Sequence, residues 1–299
     1  MKITTETNST MNFEQAILNQ TVDLTQLDQA TPLETSEQKR QQWLKERLGK
    51  FTASEFYRLV TAPSKADLPV GAITSATEKA VESLTDYLEP GYISSDMQWG
   101  MDHELDAIAL FEQQTGLTVT HTGDDQALIL RSSQVGGTPD GLIGSFAGVE
   151  VKCPKSTTHM KHLMLKDQSD LKATCANYYW QIQGLLYITG RKDWYFISYD
   201  PRYKHSKQQL HTLLIQPDEQ DIAFLVQRLG LVINYRDELL NTMHQSTRKE
   251  LGVAELLSLF KIGRTSLWKL RQNQQFPQPV QQRPLLWRAA DIDQYALNS

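Results

Sequence analysis

Asp140 and the triplet Glu150-Val151-Lys152 carry side chains of the types that cut phosphodiester bonds. Residues i and i+2 of a strand point to one face, so Glu150 and Lys152 project side by side, with Val149, Val151 and Cys153 forming an apolar face opposite. A strand that buries one face and carries a carboxylate and an ammonium on the other points to a task for the charges. Asp140 lies ten residues earlier, in Gly136-Gly137-Thr138-Pro139-Asp140-Gly141. Two short strands joined by a glycine-containing turn, Leu142 to Gly148, let Asp140 and Glu150 share a divalent metal. Lys152 is then placed to stabilise charge on a phosphate or to orient an attacking water. The same spacing arises by chance on solvated strand faces, so its weight depends on the segments around it.

Those segments read as the elements that would hold the trio. Met97 to Glu104 leads into an amphipathic helix with apolar positions Leu105, Ile108, Ala109 and Phe111, stopped by Gly116. Glu104 shares the face of Ile108 and Phe111, so it looks toward the sheet and needs a partner there, either a metal or an Arg or Lys. A second helix runs from Ala176 to Thr189-Gly190, with Tyr178, Gln181 and Leu185 on one stripe. Gln181 can position a water or a ligating carboxylate; on spacing alone, capping a backbone group is the simpler use. Trp194 to Tyr199 and Leu210 to Ile215 read as buried strands. Near the N-terminus, Thr52-x-x-Glu55 fits a capping box that starts a helix near Ala53, and its free N–H groups with Ser54 and Arg47 suit a phosphate. His159 and His162, three apart, read as an exposed helix face.

Together the segments WLKERLGKFTASE, QWG…HELDAIALFEQQTG, TPDGL…GVEVKCP, YYWQIQ and WYFISYDPR closely resemble the family of phage lambda exonuclease, the YqaJ-like viral recombinases, from about Gln38 to Leu225. The resemblance implies that Asp140, Glu150 and the Val151 carbonyl bind metal, completed by Glu104. Lys152 matches the family's catalytic lysine, Gln181 the glutamine near the attacking water, and Tyr178 an aromatic position. Arg47 and Ser54 match a pocket for a 5′-phosphate. One position departs: where a member of the family has a lysine four residues before the Trp of its WG motif, this chain has Ser95, which weakens the expectation of 5′-phosphate preference. The resemblance further implies two Mg²⁺ or Mn²⁺ ions per site, 5′-to-3′ digestion of linear duplex DNA from its ends, and a ring-shaped homotrimer. It also implies a single-strand annealing partner and a phage or prophage origin.

Composition agrees with a folded enzyme. The chain has 299 residues, 40% of them hydrophobic, enough for one large domain and a small one. Two cysteines do not make a disulfide framework and suit a reducing cytoplasm, and neither they nor the histidines reach zinc-ligand spacing. No signal peptide or membrane-spanning run is read, so a bacterial cytoplasmic location is expected and a membrane is not. The organisation expected is a tail and lead-in at 1–35, mobile at its start, a nuclease domain at 36–245 and a small domain at 246–299.

The net charge of −5 is unevenly spread: from Ser246 onward eight Lys/Arg stand against four Asp/Glu, a net of +4, which leaves −9 for the rest. After a helical stretch about Pro217 to His244 and a hinge at Gln245-Ser246-Thr247, this basic end reads as a helix at Val253–Leu257 and a turn at Lys261–Gly263. A second helix at Arg264–Arg271 follows, then a two-stranded wing at Phe276–Val280 and Leu285–Arg288, and a last helix entered at Asp291. It is similar to AlpA and excisionase-like winged helix-turn-helix domains. That resemblance makes Arg264, Thr265, Ser266 and Lys269 candidates for bases or phosphates and Arg288 for a phosphate; a protein-binding module is the alternative. The fold class expected is α/β, restriction-endonuclease-like, with a mixed central sheet flanked by helices and this small domain appended. Two rival functions stay open: a site- or structure-directed endonuclease guided by the wing, and a DNA-binding regulator or excision factor with an inactive core.

Overall fold

The computed structural model describes residues 36–60, 68–88, 94–247, 250–273 and 275–297. The tail expected at 1–35 lies outside them. The chain divides into two units, Met1–Trp43 and Leu44–Ser299; the described part of the first is helical.

Helix α1 (Ser36–Arg47) leads to strand β1 (Phe51–Thr52), a short 3-10 helix (Ala53–Glu55) and α2 (Tyr57–Val60). Helices α3 (Val70–Thr85) and α4 (Ser95–Thr115) follow. Strands β2 (Ile129–Ser132), β3 (Val135–Gly137), β4 (Gly141–Ile143) and β5 (Ala147–Lys152) come next. They lead to α5 (Ser156–His162), α6 (Gln168–Thr174) and α7 (Ala176–Thr189). Strands β6 (Asp193–Tyr199) and β7 (Leu210–Ile215) precede the long helix α8 (Glu219–Thr247). The hinge expected at 245–247 is therefore the last turn of α8.

Instead of one central sheet there are two mixed ones. The larger has the order β4-β5-β6-β7, with β5 and β6 parallel and both outer pairs antiparallel; the smaller has the order β1-β3-β2. Alternation along β5 sorts the two faces of the larger sheet. Val149, Val151 and Cys153 pack with Ala107, Ile108 and Phe111 of α4, while Phe196 of β6 faces the second cluster with Tyr179, Ile182 and Leu185 of α7. Gly184 lets α7 close on the Phe56 ring, which would lie 2.4 Å from a Cβ at that position.

Helix α4 begins at Ser94, whose hydroxyl accepts the Met97 N–H at 3.2 Å, and ends at Gly116 with φ 72°. Its buried stripe is Ala107, Ile108 and Phe111; Leu105 and Ala109, expected inside, are exposed. At 100° per residue Leu105 lies well off that stripe, whereas Glu104 lies on it. The capping box at Thr52 does not form: Thr52 belongs to β1 and makes no cap bond, and Glu55 turns to Arg58 and Lys79.

After α8, strand β8 (Glu250–Gly252), helices α9 (Val253–Leu259) and α10 (Arg264–Arg271), strands β9 (Gln281–Gln282) and β10 (Leu285–Arg288) and helix α11 (Ala289–Leu297) complete the chain. The three strands form an antiparallel sheet, β8-β10-β9, over a core of Leu256, Leu267, Phe276, Trp287 and Ile292. Residues 276–280 are not a strand as expected: Pro277 and Pro279 lack the N–H a ladder needs, and Phe276 is drawn into the core. Among the described residues no helix is long and apolar enough to cross a membrane.

Candidate active site

The site forms where β4 stops pairing with β5. Gly141 is the first residue of β4, opposite Val149, so Val151 extends past the ladder on that side. Asp140, just before β4, fills the gap by accepting the Val151 N–H on Oδ2 at 2.7 Å. The N–H and C=O of one strand residue point the same way, so the Val151 carbonyl leaves the sheet on the side of Asp140.

Glu150 is fully buried on the α7 face of β5. Its Oε1 accepts from Lys152 Nζ and from Gln181 Nε2, the latter at 2.6 Å. Its Oε2 is buried and receives no donor. Lys152 also stands over the Tyr178 ring, 5.2 Å from its centre, and Tyr178 stacks on Phe196. The stripe Tyr178, Gln181, Leu185 thus delivers its first two members to the site and its third to the core.

Helix α4 brings Glu104 in from the other face. Its partner is neither Arg nor Lys: Gln126 Nε2 donates to Glu104 Oε1 at 2.6 Å and reaches the Asp140 carbonyl at 3.3 Å. Gln126 is a site residue that the sequence reading missed; a polar side chain in an irregular stretch has no periodicity to mark it.

Crowding three carboxyls away from water disfavours charge on each. Burial and then Asp140 push Glu104 up to about 7 and Glu150 up to about 8. Burial also raises Asp140, against the pull of Lys152 and the Val151 N–H. For Lys152, burial acts to lower the pKa, but Glu150 and Asp140 outweigh it and hold the ammonium above the usual lysine range. Among the described residues no three His, Cys, Asp or Glu side chains are gathered as a metal would hold them. The donor set nevertheless fits a hard divalent cation: it is all oxygen, and Glu150 Oε2 is buried with no donor.

Arg47, at the end of α1, donates from Nη2 to Thr138 Oγ1 at 2.6 Å, two residues from Asp140; burial pushes its guanidinium down to about 10. Ser54 is exposed, with its hydroxyl 3.4 Å from that of Thr52. Ser95, in the first turn of α4, borders a cavity of about 260 Å³ with Trp99, Lys155 and Arg202.

The YqaJ-like viral recombinase domain matches residues 42–192, which include Arg47, Glu104, Asp140, Glu150, Lys152 and Gln181. The chain belongs to that family. Among solved structures this YqaJ-like protein is similar to the alkaline exonuclease LHK-Exo from Laribacter hongkongensis. The two are 26% identical over 69% of this chain and 97% of that one, with a TM-score of 0.58, and the LHK-Exo complex with dAMP matches equally well. A phage-related exonuclease from Haemophilus somnus 129PT shares the fold at 19% identity, over 65% and 96% of the two chains, with a TM-score of 0.53. Comparison with curated proteins finds no match.

One expectation for this YqaJ-like chain takes a different form. His159 and His162 are buried, not exposed, and both Nδ1 atoms lie 2.8 Å from the Ser198 hydroxyl on β6. His159 Nε2 must donate to the Gln208 carbonyl at 2.8 Å, so Ser198 donates to His159 and accepts from His162. At the basic end, Arg264, Thr265, Ser266 and Lys269 are exposed on α10 and Arg288 is exposed on β10, while Leu267 packs inward.

Proposed function

We propose that this protein is an exonuclease that digests linear double-stranded DNA from its ends in the 5′-to-3′ direction, leaving 3′ single strands for recombination by strand annealing. The observation that carries this reading is the meeting of Asp140, Glu150, Lys152 and Gln181 at one open sheet edge. Membership of a viral recombinase family and likeness to an alkaline exonuclease support it.

Asp140, Glu150, the Val151 carbonyl and, after turning from Gln126, Glu104 would hold Mg²⁺ or Mn²⁺, two ions per site. Such ions supply Lewis-acid polarisation of the phosphate and a more acidic water. Lys152 stays protonated at neutral pH and offers its charge to the phosphate as negative charge develops. Gln181 holds the Glu150 carboxylate and presents its amide beside the attacking water, while the Tyr178 ring steadies the Lys152 ammonium. Arg47 remains a cation at neutral pH and with Ser54 would grip the terminal 5′-phosphate.

The elements from β8 to α11 act in this reading as a winged helix-turn-helix. Helix α10 presents Arg264, Thr265, Ser266 and Lys269 to DNA, and Arg288 meets the backbone. A homotrimer around the duplex, a single-strand annealing protein as partner and action in the cytoplasm of a bacterial host complete the proposal. The exposed cationic face of α10 also favours a second reading, a site-directed endonuclease.

Digestion of one DNA in linear 5′-phosphorylated and closed circular forms, with Mg²⁺ and with EDTA, separates the two. Loss of 5′ label from the linear form alone, and only with metal, is expected. Cutting of the circle supports the endonuclease, and an intact linear form overturns both.

A further inference from the structure

Gly49 lies two residues after Arg47, and both of its backbone polar groups are held by buried charges. Its N–H donates to Glu82 Oε2 on α3 at 2.9 Å, and its carbonyl accepts from Arg236 Nη1 on α8 at 3.0 Å. Lys79 Nζ joins Glu82 at 2.9 Å to Glu55 at 3.2 Å, and Glu55 follows Ser54 in the chain. Lys79, Glu82 and Arg236 are 6%, 9% and 5% exposed, so all three charges are withdrawn from water. Gly49 has φ 67°, and a Cβ there would meet Ser83 Oγ at 2.5 Å, so α3 packs directly against this turn. Immediately beyond it, Phe51 N–H donates to the Gln134 carbonyl and β1 pairs with β3, the strand that leads to Thr138 and Asp140.

Buried ion networks contribute little net stability over apolar packing of the same volume, and in some proteins they fix one arrangement of the chain. Here what is held is the pair of segments carrying Arg47 and Ser54, at a set distance from Asp140. We infer that Glu82, Lys79 and Arg236 are positioning residues that aim Arg47 and Ser54 at the terminal phosphate of the DNA, and so set the preference for phosphorylated ends. The inference rests on the proposed phosphate role of Arg47.

The test compares kcat/KM of the full-length protein on linear duplexes with 5′-phosphate and with 5′-hydroxyl ends. Glu82→Ala is expected to lower the value on phosphorylated ends about tenfold, through KM, and to leave hydroxyl ends within about twofold. General loosening of the fold would slow both substrates alike. Glu82→Gln, which keeps an acceptor for the Gly49 N–H, should restore most of the preference. If Glu82→Ala does not fold, Arg236→Gln releases the same turn from the other side and carries the same expectation. Wild-type preference in these variants, with preference lost in Arg47→Ala, overturns the inference alone. Wild-type preference in Arg47→Ala as well removes the phosphate assignment and the inference with it.

Discussion

The charges around Glu150 and those on α10 are handled by the fold in opposite ways. Glu150 is fully buried, and it shares partners and pKa shifts with Asp140, Glu104 and Lys152. Arg264 and Lys269 stand in water on a short helix anchored by Leu267. In a low-dielectric cluster each group depends on its neighbours, so one substitution alters the whole set. Exposed cations are screened and act almost independently. In the function proposed above, the contrast separates the residues that carry the chemistry from a surface that captures DNA.

The largest expected effect tests the buried side. Lys152→Ala and Glu150→Ala should each lower cleavage of linear duplex DNA by about a thousandfold or more, with the fold retained by circular dichroism. A folded variant with wild-type rate breaks the contrast at once.

Next comes proton competition for metal. Because Glu104 is pushed up to about 7 and Glu150 to about 8, both carboxyls take up protons as pH falls below these values. Apparent Mg²⁺ affinity should therefore weaken toward acid, by up to about tenfold per pH unit between about 8 and 7 and up to about a hundredfold per unit below about 7, and level off above about pH 8. Calorimetric titration across that range checks it, and an affinity independent of pH would remove these carboxyls from the metal site.

On the exposed side, Arg264→Ala and Lys269→Ala should each weaken DNA binding a few-fold and reduce the salt dependence by about one unit of slope, leaving cleavage at saturating DNA unchanged. Binding curves at several salt concentrations read both quantities. An unchanged slope would point to a protein partner for α10.

The smallest effect concerns stability. Burial, followed by His159 and His211, pushes His162 down from 6.5 to about 4, so the unfolded chain takes up a proton that the folded one refuses. Its contribution is present in full above about pH 6.5 and is lost as pH falls toward 4. Thermal midpoints should fall across that window, less steeply in His162→Gln.

Much of this was legible without coordinates because strand and helix periods are local. The two-residue repeat placed Glu150 and Lys152 together on β5, and the helical repeat put Glu104 on the inner face of α4 and Tyr178, Gln181 and Leu185 on one stripe of α7. Local patterns misled where distant groups competed for the same side chain. The Thr52 box failed because β1 pairs with β3, and the histidines of α5 went inside because Ser198 offers them a buried partner.

The sequence by itself determined which residues could do chemistry and which faces they occupy, since both follow from residue type and repeat. Only the tertiary structure decided who answers each charge. Gln126 meets Glu104, the Val151 N–H meets Asp140, Thr138 meets Arg47, and Glu82 with Arg236 holds Gly49. Such pairings join residues far apart in the chain, and a buried charge takes whatever partner the packing brings within reach, which no local repeat encodes.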